Sequence, residues 1–177
     1  MRFAGHSYGA CVALEFAARR PERLSAVWCY EPPYGPAARG ADRSRIVAIG
    51  ERTIAAAMER GPAAAGEAFF AAVVGKDALE RLSAAARCEV RQAGGAAVAE
   101  APLLGLDLDG LSASRCPVAL VVGGESPPMY RKIAGTLAAC IPSGGVEILP
   151  GVDHRAPINR PDVVAQAIIA FAARLGA

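Results

Sequence analysis

The sequence predicts an α/β fold: a mostly parallel sheet with helices on both faces, interrupted by an inserted helical cap. Two observations lead to this prediction. Short apolar runs typical of buried strands alternate with helical stretches, both near the N-terminus and again in the last third of the chain. The long stretch between them has helical periodicity and no strand pattern. We therefore expect a core formed by residues 1–35 and 112–177 and a helical cap over 36–111.

The first part of the core begins with a helix and continues into a strand. Residues 10–18 are nearly all apolar, and the basic pair before Pro21 is typical of a helix end. Residues 24–30 are apolar and rich in strand-forming side chains, which predicts a short strand. Pro32 and Pro33 follow and prevent the chain from continuing in the sheet.

The second part of the core alternates strands and helices. The run 117–123 is continuous and β-branched, as in a strand buried on both faces, and it is followed by a helix over 128–140. A strand over 146–149 and a loop over 150–160 come next. A last helix is predicted to begin at Pro161, because proline is favoured in the first helical turn.

The inserted segment is predicted to contain several amphipathic helices. The first is indicated by four apolar residues at helical spacing: Ile46, Ile49, Ile54 and Met58. Glycines are expected to separate the helices, at positions 61, 75, 94 and 95. The segment 105–110 is predicted to be the connection that returns the chain to the core.

Composition and charge exclude several classes of protein. A chain of 177 residues with 53% hydrophobic content is long and apolar enough for one folded core. The net charge is +2 and the arginines are dispersed, which argues against a nucleic-acid partner. No apolar run is long enough to span a membrane and the N-terminus does not resemble a signal peptide, so a cytoplasmic location and no membrane partner are expected.

The cysteines suggest neither a disulfide framework nor a metal site. There are five, an odd number, widely spaced and without a C-x-x-C pair. We expect them to be reduced, with Cys11, Cys29 and Cys116 acting as small apolar side chains. The sequence predicts no metal and no cofactor.

One short motif indicates a serine nucleophile. Gly5-His6-Ser7-Tyr8-Gly9 matches G-x-S-x-G, in which the serine occupies a strained corner between a strand and a helix. The two glycines are expected to leave room where the backbones of the strand and the helix approach each other. The predicted helix begins directly after Gly9, as this geometry requires.

A serine nucleophile needs a base, and the chain contains only two histidines. His6 adjoins Ser7 and is expected to point away from the attacking hydroxyl. His154 lies in the loop after the last predicted strand, where parallel strands present their functional residues. His154 is therefore the candidate general base.

The base needs a carboxylate that fixes its tautomer, and two candidates remain open. Glu125 is preferred, because it follows the strand next to the loop that carries His154. Glu31, at the end of the strand over residues 24–30, is the alternative acid. Asp153 adjoins His154 and is predicted to shape the loop, because a chain neighbour rarely reaches the far side of the imidazole.

These segments together resemble the α/β-hydrolase superfamily over nearly the whole chain. The resemblance is carried by Gly5-His6-Ser7-Tyr8-Gly9-Ala10, Tyr30-Glu31-Pro32-Pro33, Gly124-Glu125-Ser126-Pro127-Pro128 and Leu149-Pro150-Gly151-Val152-Asp153-His154. It is strongest to esterase-like and lactonase-like members with a helical cap, and it implies Ser7, Glu125 and His154 as the triad. It also implies the backbone N–H of Tyr8 as an oxyanion-hole donor. The family often has glycine where Asp153 stands.

The resemblance also implies strands that the sequence does not contain. The family has several strands, and a loop with a second oxyanion donor, before the nucleophile, whereas four residues precede Gly5. We therefore expect the C-terminal part of the fold, from a longer full chain, with the strand before Ser7 almost missing and an exposed sheet edge.

Two functions are compatible with these residues. The first is a serine hydrolase that acts on a small-molecule acyl substrate, an ester, thioester or lactone, through an acyl-enzyme; acyl transfer or perhydrolysis would use the same triad. The alternative is a catalytically inactive module that serves binding or assembly, with homo-oligomers formed through the exposed sheet edge.

Overall fold

The computed structural model describes residues 1–101, 108–142 and 144–176. The chain divides into two compact units, Met1–Ala38 with Leu104–Ala177 and Arg39–Leu103. The described strands all belong to the first unit, and the described part of the second is helical. The role of the second unit as a cap stays a prediction.

The sheet of the first unit has four described strands, all parallel. They are β1 (Arg2–His6), β2 (Ala26–Tyr30), β3 (Val118–Gly123) and β4 (Gly145–Leu149), in the order β1-β2-β3-β4. The predicted parallel sheet is therefore confirmed. The expectation that the strand before Ser7 is almost missing is wrong, since five residues form β1. β1 does lie at one end of the described strand order.

The described residues form ten α-helices and two short 3₁₀ helices, Pro21–Arg23 and Gly35–Ala37. The α-helices follow in chain order. They are α1 (Tyr8–Arg19), α2 (Gly40–Arg60), α3 (Pro62–Val73), α4 (Lys76–Glu80), α5 (Ala84–Gln92), α6 (Gly94–Glu100), α7 (Leu108–Ala113), α8 (Pro128–Cys140), α9 (Ala156–Asn159) and α10 (Pro161–Arg174). The predicted bounds of α8 and the predicted start of α10 are confirmed. Both helices begin with proline, which is favoured in the first helical turn. In the part of the chain that the structure describes, no helix combines the length and hydrophobicity of a membrane span.

Helices cover both faces of the sheet. Successive side chains of a strand point to opposite faces, so Trp28 and Tyr30 share one face and Cys29 lies on the other. The Trp28 face packs in one apolar cluster with Val164 and Ala167 of α10. The Cys29 thiol lies 3.7 Å from the carbonyl oxygen of Ala10, in α1. The core is thus a helix–sheet–helix sandwich, as the strand and helix pattern predicts.

Two loop predictions differ from the structure. The predicted loop over 150–160 contains the short helix α9, which has a proline in its first turn. Of the predicted connection over 105–110, residues 105–107 lie outside the described residues. Residues 108–110 are helical and not a loop, because α7 begins at Leu108.

In the second unit, α2 does not bury the stripe that the sequence predicts. Its buried residues are Gly50, Thr53 and Ala56, whereas Ile54 and Met58 are exposed. A Cβ at Gly50 would lie 2.5 Å from the carbonyl oxygen of Ala101, so the backbones approach closely along this face. Close approach selects small side chains, and for this reason hydrophobic spacing gave the wrong face.

Glycines separate the helices of this unit and also allow two of them to pack closely. Gly61 and Gly75 have left-handed φ angles of 83° and 119° at helix ends, as predicted. Gly94 has a different role, because a Cβ there would lie 1.8 Å from the carbonyl oxygen of Pro62 in α3. A Cβ at the neighbouring Gly95 would meet no described atom within 4 Å.

This difference predicts opposite effects for two adjacent substitutions. Gly94→Ala should lower the free energy of unfolding by about 1–3 kcal/mol, because the added methyl collides with backbone. Gly95→Ala should be neutral or raise it by up to about 1 kcal/mol, because alanine is the better helix former. Urea denaturation followed by circular dichroism measures both. Equal losses in the two variants would contradict the close packing of α3 against α6.

Candidate active site

Ser7 occupies a strained turn between β1 and α1. Its φ and ψ are 54° and −124°, a backbone conformation that residues other than glycine rarely adopt. The Ser7 N–H donates to the carbonyl oxygen of Tyr30 at 2.9 Å, and its own carbonyl accepts from the N–H of Ala10 at 3.0 Å. The strand, turn and helix that the G-x-S-x-G motif predicts are therefore present, at the carboxyl edge of the sheet.

The two glycines of the motif do not have the same role. A Cβ at Gly5 would lie 2.5 Å from the carbonyl oxygen of Gly9 and 2.7 Å from the Cα of Ala10, so Gly5 is needed for the close approach of strand and helix. A Cβ at Gly9 would meet no described atom within 4 Å. The expectation that both glycines leave room is thus confirmed for Gly5 and wrong for Gly9.

His154 forms a short hydrogen bond with Glu31. The distance between His154 Nδ1 and Glu31 Oε2 is 2.7 Å, and Glu31 is fully buried. The second carboxylate oxygen, Oε1, accepts the N–H of Gly123 at 2.7 Å. An ionised carboxylate only accepts, so Nδ1 carries the proton of the neutral ring and Nε2 is left as an acceptor. A base at Nε2, oriented through Nδ1, is the arrangement that proton abstraction from a serine requires.

Glu125, the acid that the sequence favours, does not occupy this position. Its side chain is exposed, and the hydrogen bond at His154 Nδ1 is made by Glu31 instead. The backbone N–H of Glu125 donates to the carbonyl oxygen of Val152 at 3.0 Å. The Nδ1 side of the His154 ring is taken by Glu31, which directly follows β2 with a left-handed φ of 49°. The carboxylate that contacts the imidazole is thus that of Glu31, whereas the turn after β3 contacts the histidine loop through its backbone.

Asp153 pairs with Arg155 and not with the imidazole. Its carboxylate accepts the backbone N–H of Arg155 at 2.9 Å and its guanidinium Nη2 at 2.7 Å. The hydrogen bond from the Arg155 side chain is the main cause that lowers the pKa of Asp153. Asp153 thus shapes the loop, as the sequence predicts.

His6 lies against His154, a contact that the sequence analysis did not predict. Its Nε2 is 2.8 Å from the carbonyl oxygen of His154, and the two ring centroids are 4.6 Å apart. Burial is the main cause that lowers the pKa of His6 to about 4, and the electrostatic interaction with the adjacent His154 ring lowers it further. The ring is therefore neutral near pH 7, and its proton lies on Nε2, because a carbonyl oxygen only accepts.

Two tyrosines to which the sequence analysis assigned no role at the site also contact this loop. The Tyr130 ring, in the first turn of α8, stacks on the His154 ring with centroids 4.6 Å apart and an angle of 10°. The Tyr30 hydroxyl donates to the carbonyl oxygen of Asp153 at 2.7 Å. The signal for both was their position just beyond or at the carboxyl end of a predicted strand, where functional side chains gather.

Within the described residues, no group of three or more His, Cys, Asp or Glu side chains is arranged to bind a metal ion. None of the five cysteines, all of which are described, forms a disulfide, and the three predicted as small apolar side chains, Cys11, Cys29 and Cys116, are buried.

Comparison with known proteins shows the family. A model described as "Alpha/beta hydrolase family" matches residues 3–167. The chain belongs to the α/β hydrolase family. No curated protein matches the sequence.

Solved structures with the same fold include three hydrolases. A carboxylesterase of the thaumarchaeon Nitrososphaera gargenis is 20% identical with a TM-score of 0.72, covering 99% of this chain and 65% of its own. An α/β hydrolase from a Medee basin deep-sea metagenome is 15% identical with a TM-score of 0.72, covering 96% of this chain and 64% of its own. A thermophilic esterase of Thermogutta terrifontis is 21% identical with a TM-score of 0.64, and the match covers 99% of this chain and 65% of the esterase. This chain thus spans slightly less than two thirds of these structures.

The burial of His6 predicts its titration. Its folded pKa of about 4 lies below its ordinary value of 6.5, so the unfolded state takes up the proton first as the pH falls. The stability that this difference contributes is complete above pH 6.5 and is lost progressively towards pH 4. In an NMR titration the His6 ring signals should move only near pH 4, with a His6→Gln variant providing the assignment. A midpoint for His6 near 6.5 would contradict its buried contact with His154.

Proposed function

We propose that this protein is a serine hydrolase in which Ser7 is the nucleophile, His154 the general base and Glu31 the acid that orients the base. The observation that carries the proposal is the 2.7 Å hydrogen bond between His154 Nδ1 and the buried Glu31 carboxylate. Glu31 follows Tyr30, whose carbonyl oxygen accepts the N–H of Ser7. The elements of the triad thus belong to one edge of the sheet.

The proposed reaction proceeds in two halves. His154 Nε2 takes the proton of the Ser7 hydroxyl as its oxygen attacks the substrate carbonyl, and the buried Glu31 carboxylate stabilises the imidazolium that forms. When the tetrahedral intermediate collapses, His154 returns the proton to the leaving oxygen or sulfur, which leaves Ser7 acylated. A water molecule, deprotonated by His154, then attacks the acyl group, and Ser7 is released with its proton.

The negative charge on the substrate oxygen needs a donor close to Ser7. Tyr8 is the first residue of α1, and the N–H groups of a first helical turn point out of the helix end, which favours an anion there. The Tyr8 N–H is therefore the proposed oxyanion donor. This position is set by the same turn that gives Ser7 its positive φ.

The proposed substrates are small esters, thioesters or lactones. The support is the family, together with the two solved structures described as a carboxylesterase and an esterase. The mechanism uses only protein side chains and water, so it requires no cofactor. Association of copies through the edge strand β1 remains the alternative proposal for a chain without activity.

An active-site-directed fluorophosphonate tests the nucleophile directly. It should label the folded protein on Ser7, and Ser7→Ala should abolish labelling. Ser126→Ala is the matched control, because Ser126 also follows a strand at this sheet edge, and it should label like the unmodified protein. Absence of labelling in the folded protein, together with concentration-dependent association in sedimentation, would support the binding-module alternative.

Exchanging each glutamate for glutamine separates the two candidate acids. Glu31→Gln should lower kcat for p-nitrophenyl acetate by about 10²–10⁴-fold, because the amide no longer fixes the tautomer or stabilises the imidazolium. Glu125→Gln should change it by less than about twofold, as expected for a side chain outside the buried network. The reverse pattern would show that Glu125 is the acid and that the observed Glu31 contact is structural.

A further inference from the structure

The loop that carries His154 is held through three consecutive carbonyl groups. The carbonyl oxygen of Val152 accepts the N–H of Glu125 at 3.0 Å, and that of Asp153 accepts the Tyr30 hydroxyl at 2.7 Å. The carbonyl oxygen of His154 itself accepts His6 Nε2–H at 2.8 Å. The donors follow β3, end β2 and end β1 respectively, so three adjacent strands each hold one carbonyl of the loop.

The two side-chain donors are neighbours by strand register. His6 and Tyr30 are paired residues of β1 and β2, and paired residues of parallel strands point to the same face. The centroids of their rings are 5.7 Å apart, and Tyr30 is fully buried. The loop is therefore held by two side chains whose relative position is fixed by the sheet.

Both donors keep their protons over the range in which an esterase would work. Burial, together with the charges of Glu31 and Asp153, raises the pKa of the Tyr30 hydroxyl far above neutrality. His6 is neutral near pH 7 with its proton on Nε2, because burial lowers its pKa to about 4. Neither bond is therefore broken by titration between mildly acidic and mildly basic pH.

We propose that Tyr30 and His6 are positioning residues for the general base, which hold the backbone of the His154 loop so that the imidazole keeps its place beside Glu31, at the sheet edge that carries Ser7. This inference rests on the proposed function. Other contacts hold the ring itself, with Glu31 at Nδ1 and Tyr130 on one ring face. The backbone bonds therefore set the position of the residue, and the ring contacts set its orientation.

The consequence is a loss of rate with substrate binding retained. A displaced base takes part only in the chemical step, and a misplacement of about 1 Å can cost about 10²-fold in rate. Removing either donor should thus lower kcat by about 10–100-fold while KM changes little. A residue that only stabilised the fold would leave kcat of the folded fraction unchanged.

Tyr30→Phe and His6→Phe are the appropriate variants. Each removes the donor and keeps an aromatic ring, and Tyr30→Phe retains the ring that stacks on Trp28 at a centroid distance of 5.8 Å. Ser25→Ala is the control, because the Ser25 hydroxyl also donates to a backbone carbonyl, that of Met1, just before β2 begins at the opposite edge of the sheet. Circular dichroism verifies that each variant is folded.

Two measurements are made on each variant. The first is kcat and KM for p-nitrophenyl acetate. The second is solvent exchange of the His154 Nδ1 proton by NMR, assigned by its loss in His154→Gln. Both phenylalanine variants should show lower kcat and faster exchange, and the double variant should lose less than the product of the single losses, because both donors hold one loop. Ser25→Ala should show neither change.

The two measurements separate this inference from the proposed function. If Tyr30→Phe and His6→Phe exchange the Nδ1 proton as slowly as Ser25→Ala does, the positioning role is overturned, whatever the activity. The unmodified protein could instead be inert towards fluorophosphonate while both phenylalanine variants exchange the His154 Nδ1 proton faster. In that case the serine-hydrolase proposal fails, and the role of Tyr30 and His6 in holding the His154 loop is supported.

Discussion

The buried carboxylate of Glu31 is the interaction on which the site depends. Removing a carboxylate from water costs several kcal/mol unless its oxygens are bonded. Here one oxygen accepts the backbone N–H of Gly123 and the other accepts His154 Nδ1–H. Losing either donor leaves a buried charge partly unsatisfied. The carboxylate therefore ties the end of β2 to the end of β3 and to the histidine loop, and the position of the imidazole follows from the packing of the sheet.

Backbone strain is concentrated at the same edge. Among the described residues, Ser7 and Glu31 are the non-glycine positions with positive φ, at 54° and 49°. They directly follow the adjacent strands β1 and β2. Such conformations cost about 1–3 kcal/mol each and persist only where surrounding contacts impose them. Both side chains gain a position that a relaxed strand end would not provide, and both belong to the proposed triad.

Local signals predicted the fold well, and loop geometry limited the prediction of the site. Proline positions and buried-strand patterns gave β2, β3, β4, α8 and α10 nearly to the residue. Glu125 was preferred because it follows the strand next to the histidine loop, but sequence order does not reveal which way a side chain leaves a turn. Gly9 fits the motif yet has open space around it, and α2 buries glycine and alanine where its isoleucines suggested otherwise. Each of these differences concerns a direction or a close approach, which hydrophobic spacing does not encode.

His6, the second residue of the G-x-S-x-G motif, also contacts the loop that carries His154. His6 and Ser7 are adjacent on the backbone, so the strand that leads to the proposed nucleophile also carries the donor to the carbonyl of His154, the proposed base. A shift of β1 along β2 would break the Ser7 N–H bond to Tyr30 and the His6 bond to His154 together. The positions of Ser7 and His154 thus both depend on β1, although most of the chain lies between them. Because the edge strand β1 is paired on one described side only, these two bonds also help to fix its register.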